Sequence, residues 1–184
     1  QGMIGYMIQQ CLGEVFKERN IDKDAATIVT QVVVDKDDPA FLHPTKPIGP
    51  FYSKEEAEML IKNKGYEMVE DSGRGYRRVV ASPEPREIVE LSTIKLLENN
   101  GVVVITAGGG GIPVVKENGS LKGVAAVIDK DLASEKLAED LDADILLILT
   151  AVEKVYINYK KPDEKALDVI SSDEAQRYLE EGHF

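Results

Sequence analysis

The chain has 184 residues, of which 43% are hydrophobic and 30% charged, and a chain of this size can bury roughly 70% of the surface that its unfolded form exposes. Its formal net charge of −11 disfavours nucleic acid as a partner, because the chain would repel a phosphate backbone. Its longest apolar stretches reach about half the length of a membrane-spanning helix, so no transmembrane helix is predicted.

The first third of the chain predicts a helix, a buried strand and an irregular excursion. Apolar residues at helical spacing predict a helix over residues 3–19, and the run TIVTQVVVD predicts a strand over 27–35. Residues 36–52 combine prolines with apolar side chains that disordered linkers lack, so we expect an ordered excursion. Ser53 and Glu56 form a capping-box pattern, which predicts a helix that ends near residue 63.

Helices and apolar strands alternate through the rest of the chain. A hairpin is predicted over residues 66–81, and Asn118-Gly119 predicts a tight turn between two later strands. Ser171 and Glu174 repeat the capping-box pattern and predict a helix close to the end of the sequence. The other predicted elements are helices over 86–98 and 131–140 and strands over 101–106, 125–128 and 144–150.

This order of elements predicts the class of fold. We expect an α/β protein, a three-layer α/β/α sandwich around a mostly parallel central sheet. Residues 1–35 and 83–184 would form the core, and residues 36–82 would form a small protruding α+β subdomain.

Four consecutive glycines, Gly108 to Gly111, follow the strand predicted over residues 101–106. A loop without side chains can bring its N–H groups close to a bound anion, and ligands of open α/β sheets bind at the carboxyl ends of strands. A flexible turn explains the glycines equally well. The run lacks the glycine-lysine pair of a Walker loop and does not fit the glycine spacing of a dinucleotide fingerprint.

Asp129-Lys130-Asp131 stands at the start of a predicted helix. Asp131 can cap this helix or enter its first turn, where the free N–H groups and the helix dipole favour a carboxylate. Lys130 is unfavourable at this end of a helix, which indicates another role. Phosphoryl transfer needs positive charge on the transferring group and a means of holding that charge in place. A lysine beside aspartates can supply both.

Two further segments each have a structural and a functional interpretation. Lys46 lies among the prolines of residues 44–52, either as a solvated side chain of a rigid loop or on a lid that reaches an anionic substrate. Val152, Val155 and Tyr156 follow the strand predicted over 144–150. They either pack in the core or line an apolar slot for a flat base.

Cysteine and histidine are scarce in this chain. Cys11 is the single cysteine, so no internal disulfide can form and a reducing, cytoplasmic location is expected. One cysteine and two histidines do not supply a structural zinc site, and no protein-bound metal is predicted. The residues after Gln1 lack the basic and apolar regions of a secretory signal peptide.

Taken together, these segments resemble the amino acid kinase family, and within it the carbamate kinases. The resemblance covers the whole chain. It is most specific at Val34-Asp35, Asp38 to Phe41, Pro44 to Tyr52, Gly73 to Val80, Gly108 to Val114, Val127 to Asp131 and Leu149 to Asn158. It implies reversible phosphoryl transfer between ATP and carbamate, giving ADP and carbamoyl phosphate, with Mg²⁺ carried by the nucleotide. It also implies a homodimer and a role in arginine catabolism.

The resemblance implies roles for particular residues. Lys130 would contact nucleotide phosphates, Asp131 would orient the catalytic lysines, and Lys46 would reach toward the substrate. Lys136 is a weaker candidate for a phosphate contact. The small substrate and the transferring phosphate would be held by Gly108, Gly109, Gly110 and Gly111. The nucleoside would be bordered by Ala151, Val152, Tyr156 and Asn158.

The sequence departs from the family pattern at Ala125, where an acidic residue is usual, and at both ends. The family begins with a strand and a glycine loop that would precede Gln1, and it ends with a lysine-bearing segment that would follow Phe184. We therefore expect the middle part of a kinase of about 300 residues. Two alternatives are a related kinase that acts on another carboxylate, against which the Lys46 segment argues, and a fragment that binds ligand without catalysis.

Overall fold

The computed structural model describes residues 1–183 and forms two compact units, Gln1–Leu146 and a second unit that begins at Leu147. Within the described residues, no helix is both long and apolar enough to cross a membrane. The predicted boundaries, a subdomain over 36–82 and a core over 1–35 and 83–184, stay a prediction. The last residue of that core, Phe184, lies outside the described residues.

The first unit alternates helices with short strands. In chain order they are α1 (Gly2–Glu18), β1 (Ala25–Thr27), β2 (Gln31–Val33), β3 (Lys46–Tyr52), α2 (Lys54–Lys64), β4 (Glu67–Glu70), β5 (Tyr76–Val80), β6 (Glu87–Ile88), α3 (Leu91–Asn99), β7 (Val103–Ile105), β8 (Ile112–Glu117), β9 (Ser120–Gly123) and α4 (Lys130–Leu141). Short 3-10 turns occupy Pro39–Phe41 and Gly108–Gly110. The α/β class predicted from the sequence is confirmed.

Three sheets organise these strands. β1 pairs in parallel with β7, and β2 pairs in parallel with β8 within a four-stranded sheet of order β6-β2-β8-β9. The strands β3, β5 and β4 form a separate antiparallel sheet. The buried apolar cluster comprises Val32, Val34, Ile88, Ile94, Val115, Ile128 and Ala133.

The single strand predicted over residues 27–35 is wrong in one respect, because the segment is broken into β1 and β2. β1 pairs with the strand that precedes the four glycines, and β2 pairs with the strand that follows them. Thr30 lies at the break and is completely buried. The chain therefore changes partner strand beside the glycine loop, which an apolar run alone does not reveal.

Two other predicted elements differ from the structure. The helix predicted over 86–98 begins only at Leu91, because Glu87–Ile88 pair antiparallel with Val32–Val33. Ile88 is buried in the apolar cluster. The strand predicted over 125–128 is reduced to one parallel bridge between Ala81 and Ala126. In both places, pairing with a distant segment decides the local conformation.

The second unit contains a hairpin and a helix. β10 (Val155–Ile157) pairs antiparallel with β11 (Lys165–Leu167), and α5 (Ser172–Glu180) begins with the capping box predicted for Ser171 and Glu174.

The buried strand predicted over 144–150 is wrong. These residues are exposed and have no regular structure. A strand buried on both faces needs neighbours that pair with it and cover it, and residues 1–183 provide no such pairing.

Candidate active site

The glycine loop is a tight turn with two free amide groups. Backbone φ angles are positive at Ala107 (51°), Gly109 (69°), Gly110 (95°) and Gly111 (85°). Gly110 donates its N–H to the Ala107 carbonyl at 2.9 Å, and Gly111 donates to Gly108 at 3.3 Å. Among residues 1–183, the N–H groups of Gly108 and Gly109 have no acceptor, and both glycines are exposed. Two donors are thus available to an anion.

The other two glycines of the loop are required by close packing. A Cβ atom at Gly110 would lie 2.4 Å from the carbonyl oxygen of Ile128, and one at Gly111 would lie 2.4 Å from Cγ2 of Val32. Ile128 immediately precedes Asp129, the residue before helix α4. The loop is therefore packed against the start of α4, which brings together two of the regions singled out in the sequence.

Asp129, and not Asp131, caps helix α4. The Asp129 carboxylate accepts hydrogen bonds from the backbone N–H groups of Asp131 at 2.8 Å and Leu132 at 3.4 Å. Asp131 lies in the first turn, the other position considered for it, and accepts a hydrogen bond from the Lys130 ammonium at 2.8 Å. This hydrogen bond and the charge of Asp131 raise the pKa of Lys130. The cation is thus held at the helix start despite the helix dipole.

Lys46 also reaches this region. Its ammonium nitrogen lies 2.9 Å from Oδ2 of Asp129, and each of the two side chains is 35% exposed. β3 places it there, since Lys46 pairs with Val80 of β5, and the next carbonyl, that of Ala81, accepts from the Val127 N–H at 2.9 Å. The Lys46 hydrogen bond is the main cause of a lowered pKa at Asp129, and the Asp131 N–H adds to it.

Lys136 is occupied by carboxylates of its own helix. Its ammonium pairs with Asp140 at 2.5 Å and with Glu139 at 3.1 Å, and these hydrogen bonds raise the pKa of Lys136. A phosphate contact by Lys136 would require it to leave one of these partners.

In the second unit, a cavity of about 830 Å³ is lined by two of the four residues predicted to border a nucleoside, Val152 and Tyr156. The ring centroids of Tyr156 and Tyr159 lie 5.7 Å apart. Asn158 donates a side-chain hydrogen bond to Asp163 at 2.6 Å and has a positive φ of 53°. Ala151 is exposed. The cavity wall is largely apolar, as an aromatic ligand requires.

Two residues of the site region were not identified from the sequence as site residues. Asp129 had a local signal, because an aspartate before a helix favours capping, but its partner Lys46 is 83 residues away. Thr30 had no local signal. Its buried hydroxyl accepts a hydrogen bond from the N–H of Ala107, where the glycine loop begins.

The comparisons with known proteins agree on one family. The sequence model of the Amino acid kinase family matches residues 16–183. The chain is 60% identical over 184 residues to a carbamate kinase of Clostridium perfringens and 58% identical to one of Thermococcus kodakarensis. Both alignments cover the whole chain, but 59% and 58% of those relatives respectively. The chain thus spans somewhat more than half of their length.

A solved structure has a similar fold. The carbamate kinase from Giardia lamblia bound to AMP-PNP superposes with a TM-score of 0.89 at 50% sequence identity, covering all of this chain and 58% of that one.

Proposed function

Because the chain belongs to the amino acid kinase family, we propose that its protein transfers a phosphoryl group reversibly between ATP and carbamate, giving ADP and carbamoyl phosphate. The observation that carries this proposal is that the glycine loop, with its two free amides, packs against the start of α4, where Lys130 and Lys46 are each paired with an aspartate. The names of the similar proteins support carbamate as the acceptor.

The mechanism that fits these residues is direct transfer with electrostatic stabilisation. Charge spread over the transferring phosphoryl oxygens is stabilised by donors that are already oriented before the reaction. The amides of Gly108 and Gly109 are such donors, and Lys130 and Lys46 would add positive charge. Asp131 and Asp129 hold the two ammonium groups at 2.8 Å and 2.9 Å, so each lysine is oriented by its own carboxylate. No covalent enzyme intermediate is required.

The nucleoside of ATP would occupy the apolar cavity lined by Val152 and Tyr156, with Ala151 and Asn158 nearby in sequence. Mg²⁺ would arrive with the nucleotide and neutralise its phosphate charge. Within residues 1–183 there is no group of three or more His, Cys, Asp or Glu side chains that could hold a metal ion. A cytoplasmic homodimer that acts in arginine catabolism completes the proposal.

Substitution of Lys130 by alanine in the full-length protein tests the reaction. ATP formation from ADP and carbamoyl phosphate should fall by at least about 100-fold, the scale of losing one oriented donor at the transition state. The exposed Lys62 of helix α2 provides a matched control, and Lys62→Ala should keep normal turnover. Near-normal turnover of Lys130→Ala would remove Lys130 from the mechanism.

A panel of acceptors tests the substrate. Carbamate should be phosphorylated faster than other small carboxylates, because the Lys46 segment resembles that of the carbamate-specific members of the family. A faster reaction with another carboxylate would identify a related kinase instead. The same assay on the 184-residue polypeptide distinguishes a catalyst from a ligand-binding fragment.

A further inference from the structure

Thr30 lies at the point where the chain changes partner strand beside the glycine loop. Its side chain is completely buried. The hydroxyl donates to the Ile28 carbonyl at 3.0 Å, accepts from the Ala107 N–H at 2.8 Å, and lies 2.6 Å from the Thr106 hydroxyl. Because a hydroxyl has one proton and two lone pairs, this set is complete when Thr106 donates to Thr30.

Thr30 contacts both ends of the loop. Its hydroxyl holds the N–H of Ala107 at the entrance, and its backbone carbonyl accepts from the N–H of Ile112 at the exit, at 2.8 Å. The same carbonyl accepts from the side-chain amide of Gln1 at 2.9 Å, and the Gln1 amide oxygen accepts from the Thr30 N–H at 2.8 Å. Thr30 therefore fixes both ends of the four-glycine loop, Ala107 before it and Ile112 after it.

The entrance is the end that needs this support. Ala107 has a φ of 51°, a left-handed conformation that is unfavourable for residues with a Cβ. Ala107 is also buried. If the Thr30 hydroxyl were removed, the Ala107 N–H would therefore be left with neither water nor another acceptor. The free amides of Gly108 and Gly109 follow directly, and their direction depends on the conformation at Ala107.

We propose that Thr30 is a positioning residue, which holds the glycine loop so that the Gly108 and Gly109 amides meet the phosphoryl group of carbamoyl phosphate. It acts through Ala107 and does not touch the substrate. This inference rests on the proposed function, since it assigns the phosphoryl group to those two amides.

Three variants of the full-length protein distinguish a role of Thr30 in positioning the glycine loop from a role in folding stability alone. Thr30→Val removes the hydroxyl at nearly constant volume, and Thr30→Ser restores it. Thr27→Val is the matched control, because the Thr27 hydroxyl is also buried but has no hydrogen-bond partner within the described residues. Each variant is assayed below its melting temperature for kcat and for KM toward carbamoyl phosphate and ADP. Amide hydrogen exchange is measured at Ala107, Gly110 and Gly111, whose N–H groups are hydrogen-bonded.

Thr30→Val should lower kcat/KM for carbamoyl phosphate about 10-fold, the scale of a lost buried hydrogen bond, and leave KM for ADP within about twofold. Exchange at the hydrogen-bonded amides of Ala107, Gly110 and Gly111 should be faster in this variant alone, and Thr30→Ser should recover both properties. Equal kinetics and exchange in Thr30→Val and Thr27→Val would overturn the inference. Fast exchange at Ala107 in the unmodified protein would overturn it without any variant.

Different results would contradict the proposed function and the positioning role of Thr30. An unmodified protein that does not use carbamoyl phosphate would contradict the proposed function. Faster exchange confined to Thr30→Val would still show that Thr30 holds the loop.

Discussion

Asp129 joins two segments that lie 83 residues apart in the chain. Its carboxylate accepts hydrogen bonds from the Lys46 ammonium and from two backbone N–H groups in the first turn of helix α4. One side chain therefore fixes both a lysine and the start of a helix. These hydrogen bonds favour the charged carboxylate and lower its pKa. The stability that they contribute is present above the ordinary aspartate pKa and is lost as the pH falls through the lowered value.

Removing the Lys46 ammonium should therefore raise the pKa of Asp129. In the unmodified protein, we expect Asp129 to titrate below the ordinary aspartate range, and in Lys46→Met we expect its titration to move upward, because the principal hydrogen bond is lost. Carboxyl ¹³C NMR over a pH series measures both values. Lys62→Met, which removes an exposed lysine of α2, should leave the titration unchanged. An unchanged Asp129 titration in Lys46→Met would show that the ion pair does not form in solution.

The contact between Asp129 and Lys46 could not be predicted from the types of residue in the sequence. The sequence analysis placed Asp131 at the start of α4, and it lies in the first turn of that helix. It placed Lys46 on a rigid loop or a lid, whereas Lys46 begins strand β3. The contact between Asp129 and Lys46 depends on the pairing of β3 with β5 and on the attachment of Ala81 to Val127. Those pairings involve distant segments. The sequence therefore identified Lys46 but not Asp129, and the family resemblance assigned the orientation of the lysines to Asp131.

At the scale of elements, the glycine loop has two exposed and two packed positions. A Cβ atom at Gly108 would make only ordinary van der Waals contacts with Gln1, the nearest at 3.6 Å. A Cβ atom at Gly110 would instead lie 2.4 Å from the Ile128 carbonyl oxygen. Gly110 also has a φ of 95°, which a residue with a Cβ resists. The loop should therefore tolerate a methyl group at one position and not at the other.

Gly110→Ala should lower the free energy of unfolding by about 2 to 4 kcal/mol, since it combines backbone strain with overpacking against Ile128. Gly108→Ala, the matched control in the same loop, should change it by less than about 0.5 kcal/mol, as is usual for exposed positions. Urea denaturation followed by far-UV circular dichroism measures both variants. Similar unfolding free energies for the two alanine variants would mean that Gly110 is not packed against Ile128 as described.

Elements with a local chemical signal were predicted best. The capping boxes at Ser53 and Ser171 and the turn at Asn118-Gly119, with positive φ at both residues, are present as expected. The break at Thr30 and the late start of α3 were missed, because each depends on a strand partner far along the chain. Hydrophobic periodicity reports how a segment can bury its side chains, and it does not report which partner it finds.

At the scale of the whole molecule, the least expected feature is an exposed apolar run. Ile145, Leu147 and Leu149 are 81%, 76% and 88% exposed, and they belong to the segment predicted as a buried strand over 144–150. Contiguous exposed apolar residues without regular pairing favour association with other chains. The net charge of −11 opposes such association through repulsion between copies.

Leu149→Lys should reduce self-association of the 184-residue polypeptide, because it interrupts the apolar run with a charge. Val169→Lys is the matched control, since Val169 is 91% exposed but lies outside the run, and both substitutions change the net charge equally. Light scattering against protein concentration should show weaker association for Leu149→Lys than for Val169→Lys, and the difference should grow with salt as repulsion is screened. Equal association of the two variants would show that exposure of single side chains, and not the contiguous run, governs how this polypeptide associates.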